Sequence, residues 1–355
     1  MNVARETPGG AAGTGPAAGG APATDGVVNP YPGLAAFRPD GHRFFFGRER
    51  ETERVLERLT ASRLVSIVGR SGTGKSSLVA AGVVARLAER PGGLAYLPCE
   101  PQSSPFRQLA ELLLRSGPVA ARVALRAALL ENERSVASEE HLAQAITVAL
   151  RQIPQPALLL LDQFEELFIC TPPATARGFR ALLDPLLAID TLHIVLTLRS
   201  EFTARLLEWL GEDLLRASLL VLGPITSEAA LRAIITGPAA ALGVPVQPEL
   251  LAALLPAAIA ARGALPLISL TLERLYEQRH PEQGLTLEAY QRIGGLASAI
   301  ESVAADIERL IEEDGELDAA CPRLFAELAT VIDQLLTRRI FDVAALRGDP
   351  PLARL

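Results

Sequence analysis

The chain is expected to fold as an α/β protein, a three-layer α/β/α parallel sheet followed by a helical region. Three observations predict this. Short apolar runs alternate with helical patterns between residues 29 and 224, as in a mostly parallel sheet with helices on both faces. A glycine-rich segment, GRSGTGKS from Gly69 to Ser76, directly follows one apolar run and opens a helical pattern. After Pro224 the strand signals fade while helical ones continue.

Taken in order, residues 1–28 are mostly Gly, Ala, Pro and Thr with almost no large apolar side chain. Such a segment cannot bury enough surface to offset the entropy of ordering it, so a disordered tail is expected. NPYPGLAAF then brings Tyr31, Leu34 and Phe37, and a charged helix from Glu49 to Ala61 carries Val55, Leu56 and Leu59 on one face. The predicted strands are Leu64 to Val68, Leu94 to Cys99, Ala157 to Leu161, Leu192 to Leu198 and Leu219 to Leu222. Helices are predicted for Lys75 to Arg90, Pro105 to Ser116, Ala120 to Leu130, Glu139 to Gln152 and Ala174 to Leu187. Residues 225–296 are read as a helical lid, with helices Ser227 to Thr236, Pro248 to Arg262, Pro266 to Arg279 and Leu287 to Ile293. Residues 297–355 read as a linker helix and the start of a further unit, in which the chain is expected to stop short.

Composition narrows the function. Hydrophobic residues make up 49% and charged residues 21% of 355, which favours a folded chain over a disordered one. No apolar run reaches bilayer length and the first residues lack an apolar signal core, so a cytoplasmic protein with no membrane partner is expected. The net charge of −7 argues against nucleic acid as the default partner. Cys99, Cys170 and Cys321 show no CxxC spacing, and His42, His141, His193 and His280 show no metal spacing, which disfavours disulfides and zinc. Among 34 basic residues Lys75 is the only lysine, and it stands in the glycine-rich segment.

That segment carries the main chemistry. Gly69, Gly72 and Gly74, with Arg70, Ser71 and Thr73 between them, let backbone N–H groups converge on phosphate oxygens at a helix N-terminus. Lys75 would reach the β- and γ-phosphates of ATP, and the Ser76 hydroxyl, with Ser77 behind it, would ligate Mg2+. In ALLLLDQFEELF, Asp162 ends an apolar strand, where ligands of such sheets bind, and would hold the magnesium ion through water. Glu165 or Glu166 could orient or deprotonate the attacking water, with Glu166 preferred; the plainer alternative is that both lie in the solvated first turn of a helix. Arg199, after LHIVLTL, could contact the γ-phosphate, or be a surface arginine paired with Glu201. Trp209 in its leucine-rich helix is read as core.

These residues together resemble the STAND class of signal-transduction P-loop ATPases, an AAA+-like and NACHT-like group, and in particular its bacterial "novel STAND" branch. The resemblance spans residues 29 to 355 and rests on FFGRERE, GRSGTGKSSL, LLLLDQFEELF, LRSEF, GALPLIS and LTLEAYQRIGGLASAI. It implies an AAA+-like nucleotide-binding domain over 29–224, the helical lid and a partial winged-helix domain. It also implies that Phe46, Gly47 and Arg48 flank the adenine and that Pro266 lies in a lid motif packed on bound nucleotide. Family members usually add effector and sensor domains, neither visible here, and Arg70 stands where proline is more usual.

The resemblance thus implies a switch between a closed ADP form and an open ATP form, a homo-oligomer when active, slow hydrolysis, and a role in defence against phage or another stress. The alternatives are an AAA+ ring motor or transposition helper acting on nucleic acid, and an ATP-binding interaction module without turnover. A small-molecule kinase fits the acids after Asp162 poorly. A GTPase is excluded, because its guanine-reading NKxD needs a lysine after the glycine-rich loop and none exists.

Overall fold

The computed structural model describes residues 29–132, 139–261, 264–298 and 301, and two strands at 329–332 and 335–338. Five parallel strands form the central sheet: β1 (Leu64–Gly69), β2 (Ala95–Cys99), β3 (Ala157–Leu161), β4 (Leu192–Arg199) and β5 (Leu219–Val221), in the order β2-β3-β4-β1-β5. All six residues of β1 are buried, as expected where helices cover both faces. Alternation sorts them. Leu64 and Val68 join the core under α4 (Pro105–Ser116), α5 (Arg122–Asn132), α6 (Glu139–Arg151) and α8 (Pro173–Leu187). Val65 and Ile67 face the opposite core, with Val55 and Leu59 of α1 (Glu49–Ala61) and Leu78 and Val79 of the helix after β1.

That helix departs from expectation. It begins as α2 (Lys75–Ser77), widens into a π-helix over Leu78–Val84, and ends as α3 (Ala85–Ala88). The widened stretch is wholly buried, and it runs where Gly82 lets α1 approach: a Cβ there would stand 2.6 Å from Thr52 Oγ1. Three short helices lie beyond strand ends, α7 (Glu165–Cys170) after β3 and α9 (Thr203–Leu210) and α10 (Glu212–Ser218) between β4 and β5. Trp209 of α9 packs edge-on to Phe164 at 5.0 Å between centroids and donates its indole N–H to the Ala176 carbonyl.

Beyond β5 the described chain is mainly helical: α11 (Glu228–Ala240), α12 (Pro248–Ala260), α13 (Leu265–Glu277) and α14 (Leu287–Arg292). Ser227 caps α11 and Thr286 caps α14, each accepting from the backbone N–H three residues on. α11 continues through Pro238 to Ala240, past the predicted end at Thr236. These helices enclose their own core, with Leu231, Leu250, Leu254, Ile268 and Leu272 fully buried. No described helix is long and apolar enough to cross a membrane.

One side chain of that core comes from the other end of the chain. Tyr31, 2% exposed, lies among these helices edge-on to Tyr276, and its hydroxyl donates to the Ile235 carbonyl at 2.6 Å beside the Ala239 backbone amide. Burial pushes its phenol well above the usual range. From Tyr31 the chain turns at Pro32 to Ala35, with Gly33 at φ +62°, and reaches Phe37, whose backbone N–H donates to Ser77 Oγ at 3.1 Å. Residues 31–37 therefore strap the helical unit to the helix that follows β1. The predicted tail at 1–28 lies outside the described residues. So does most of the predicted winged-helix region, of which β6 (Ala329–Ile332) and β7 (Leu335–Arg338) form an antiparallel pair.

Candidate functional site

β1 delivers the glycine-rich loop to the carboxyl edge of the sheet. Gly69 must be glycine for packing: a Cβ would stand 2.6 Å from the Leu222 carbonyl oxygen and 3.0 Å from Thr73 Oγ1. Gly72 and Gly74 adopt φ of +75° and +84°, left-handed values that side chains with a Cβ resist. The loop thereby turns back to start α2. Thr73 Oγ1 donates to the Arg70 carbonyl within it.

Lys75 bends back over the loop, its Nζ donating to the carbonyls of Gly69 at 2.9 Å and Arg70 at 3.1 Å. Its pKa is lowered, chiefly by desolvation, which the nearby Glu165 carboxylate opposes. Ser76 Oγ donates to Asp162 Oδ1 at 2.9 Å, and Thr197 Oγ1 donates to the same oxygen. A hydroxyl and a carboxylate, hard oxygens only, fit Mg2+, which keeps several waters and takes its other ligands from substrate phosphates. Among the described residues no group of three or more His, Cys, Asp or Glu could hold a metal by itself.

Both glutamates of α7 are buried, Glu165 5% and Glu166 4% exposed, so the solvated first turn does not hold. α7 starts close behind β3, and Glu165 meets the end of β4 through Arg199. Arg199, at the end of β4, gives its backbone N–H to Glu165 Oε2 at 3.2 Å and its Nε to Glu165 Oε1 at 3.0 Å. The alternative pairing of Arg199 with Glu201 is replaced by this one. Of the two, Glu165 lines the cavity described next.

The cavity, about 380 Å³, lies between the sheet edge and the helical unit. Its polar end holds Lys75, Ser76, Gln163, Glu165, Thr197 and Arg199. Its other end is apolar, with Phe46, Ile225, Ile234 and Pro238, and the strap covers one side. Contact between the units is close. A Cβ on Gly72 would stand 2.8 Å from Pro266 Cγ, one on Gly237 2.7 Å from the Phe46 ring, and one on Gly47 2.8 Å from the Ala230 carbonyl oxygen. Ser71 and Gly74 also line the space. A second cavity, reaching Asp162 and Tyr96, adjoins it at Ser76 and Phe37.

Arg48 lies at this junction, 3% exposed. Its guanidinium donates to the Thr73 carbonyl at 3.0 Å, to the Gly223 carbonyl at 2.8 Å and to Glu51 at 2.6 Å. It ties the loop to the segment that leads into the helical unit.

Thus Phe46, Arg48, Ser71, Gly72, Gly74, Lys75, Ser76, Ser77, Glu165, Arg199 and Pro266 meet around one cavity. Gly47, Gly69, Arg70 and Thr73 shape its walls from behind, and Asp162 lies beside it across Ser76. Sequence reasoning missed Thr197, Gln163 and the strap. A threonine in the apolar run LHIVLTL was a usable signal, since a buried hydroxyl needs a partner.

Comparison with known proteins gives a family match. The model of the family described as Novel STAND NTPase 1 matches residues 30–354. Curated proteins give no match. Among solved structures, the Aeropyrum pernix Orc1 protein in complex with DNA is similar at 19% identity and a TM-score of 0.49, over 75% of this chain and 68% of that one. A Walker-type ATPase of Pyrococcus abyssi is similar at 14% identity and a TM-score of 0.47, over 90% and 97%. AMPPCP-bound DnaA from Aquifex aeolicus is similar at 17% identity and a TM-score of 0.40, over 64% and 63%.

Proposed function

The chain belongs to the novel STAND NTPase 1 family, and from that premise and the geometry of the cavity we propose that it is an ATP-hydrolysing switch. In this reading residues 29–224 bind the nucleotide, residues 225–296 act as a lid and residues from 297 onward begin a winged-helix domain. The observation that carries it is the shared cavity, whose polar wall comes from the sheet edge and whose apolar wall comes partly from the helical unit. An occupant of such a space can bias the two units toward one arrangement by as much as it binds that arrangement better.

The residues divide the work by chemistry. Phosphates enter at the loop, where the backbone N–H groups of 70–76 and the N-terminus of α2 receive them, and Lys75 exchanges its two carbonyl partners for phosphate oxygens. Ser76 and Asp162 would hold Mg2+, which when bound neutralises charge on the phosphates. The adenine sits against Phe46, Ile234 and Pro238, with Arg48 holding that wall to the loop. Glu165 and Arg199 form the pair that reads the γ-phosphate: a guanidinium matches phosphate as well as carboxylate, so a γ-phosphate competes with Glu165 for Arg199. That exchange distinguishes ATP from ADP. Slow turnover then resets the switch, and the ATP form exposes the surfaces on which homo-oligomers assemble.

The test is the nucleotide content and turnover of purified wild type beside Lys75→Ala and Glu165→Gln. The reading expects bound ADP and measurable turnover in wild type, an empty site in Lys75→Ala, and ATP retained with reduced turnover in Glu165→Gln, whose amide pairs less well with Arg199. Equal adenine-nucleotide binding by wild type and Lys75→Ala would refute it. Retained binding with no turnover in wild type would leave an ATP-binding module instead.

A further inference from the structure

Glu165, a carboxylate of the cavity wall, is paired in this structure. Both oxygens of Glu165 accept from Arg199. Gln163, two residues earlier, is placed differently. It lines the same end of the cavity as Lys75, Thr197 and Arg199, directly after Asp162. Its φ is +50°, and only one other non-glycine among the described residues, Gln102, has positive φ. Left-handed backbone is uncommon for a residue with a long side chain, persists only where the surroundings enforce it, and clusters at functional sites.

The surroundings do enforce it. The backbone N–H of Gln163 donates to Thr197 Oγ1 at 3.1 Å, and that hydroxyl gives its own proton to Asp162. The N–H of the next residue, Phe164, donates to the Thr197 carbonyl at 2.8 Å. The side chain is oriented as well: Nε2 donates to Glu100 Oε1, at the end of β2, at 3.1 Å. Because a carboxylate only accepts, it fixes which end of the amide faces it, and the carbonyl Oε1 is the end left to accept elsewhere.

We propose that Gln163 is the residue that positions the attacking water, by accepting one of its protons at Oε1. In the step it serves, the water oxygen supplies the electron pair for a new bond to the γ-phosphorus. The bond from that phosphorus to the β,γ-bridging oxygen breaks, and its pair leaves with ADP. The surplus water proton goes to a phosphate oxygen and then to solvent, giving ADP, phosphate and a proton. Gln163 takes up no proton: an amide orients water, as glutamine does in other phosphoryl-transfer enzymes. Glu165 then acts through Arg199, the pair that the γ-phosphate opens. This inference rests on the hydrolytic reading above.

Three variants test it, with turnover and nucleotide affinity measured separately, the latter with a fluorescent ATP analogue. Gln163→Gly keeps the left-handed backbone and deletes only the amide. Expected is a fall in kcat of about 10²-fold with Kd changed less than about threefold. Gln163→Asn also tolerates the backbone but is one methylene shorter, and is expected to lose kcat similarly. Gln163→Glu is expected to make kcat fall with decreasing pH as the new carboxylate protonates, a dependence that a purely structural residue would not create. Turnover in Gln163→Gly within threefold of wild type overturns the proposal alone, whatever its melting temperature. Absence of turnover in wild type overturns both the proposal and the hydrolytic reading.

Discussion

Replacing Tyr31 with phenylalanine separates the strap's grip from its packing. The ring stays among the helices against Tyr276, and only the hydroxyl is lost. That hydroxyl makes a buried bond of 2.6 Å to the Ile235 carbonyl. Removing one such bond costs about 1 kcal/mol, and leaving the buried partner less well satisfied brings the total to about 1–2 kcal/mol. If nucleotide leaves past residues 31–37, the strap must release first, and this cost appears in the exit rate. At 1.4 kcal/mol per factor of ten, nucleotide dissociation should accelerate by about 5- to 30-fold. The assay is displacement of a fluorescent ADP analogue by excess unlabelled ADP, with the association rate measured beside it. Dissociation within twofold of wild type, together with a lowered melting temperature, would refute the reasoning: Tyr31 would then be a core residue and the strap no barrier to exit.

Two further outcomes follow from the same geometry. Gly72→Ala puts a Cβ 2.8 Å from Pro266 Cγ and strains a backbone at φ +75°; nucleotide affinity should fall by about tenfold or more, and Pro266→Ala on the same chain should restore part of it, as equilibrium titration of both variants would read. The lowered pKa of Lys75 sets a pH dependence. Phosphate favours the charged amine, so binding raises that pKa. Affinity should therefore be flat, on account of Lys75, below the depressed value and fall as pH rises through it, with proton uptake on binding in that window. Titration calorimetry in buffers of different ionisation enthalpy measures the uptake, and proton release there would contradict the assignment. Without nucleotide the sign reverses for stability, because the unfolded chain holds the Lys75 proton more tightly and stability gains as pH rises past the depressed value.

The parts of this molecule legible in the sequence are those governed by local pattern. β3 runs from Ala157 to Leu161 as read, because an all-apolar run flanked by proline and aspartate leaves few other choices. The glycine-rich loop was legible because its chemistry is a spacing of residues along one stretch of chain. What could not be read depends on pairs distant in sequence. The pairing of Arg199 with Glu165 is decided by how α7 sits against the end of β4, which no periodicity in six residues fixes. The π-helix after Ser77 depends on the approach of α1 to Gly82. The partner of Tyr31, more than 200 residues away, belongs to packing and not to pattern.

The solitary lysine gives the chain an unusual chemical handle. Every other basic side chain is arginine, which does not acylate under mild conditions, so Lys75 carries the one ε-amine that an activated ester can modify. Its depressed pKa leaves a larger unprotonated fraction at a given pH than an ordinary lysine has, and hence a faster reaction. A bound phosphate would both cover that amine and restore its proton. Acylation of this single ε-amine, located by peptide mass so that the α-amino group is counted apart, therefore reports occupancy of the loop without a mutation. The same scarcity restricts enzymatic acylation or ubiquitin transfer to lysine, within these 355 residues, to a position in the glycine-rich loop.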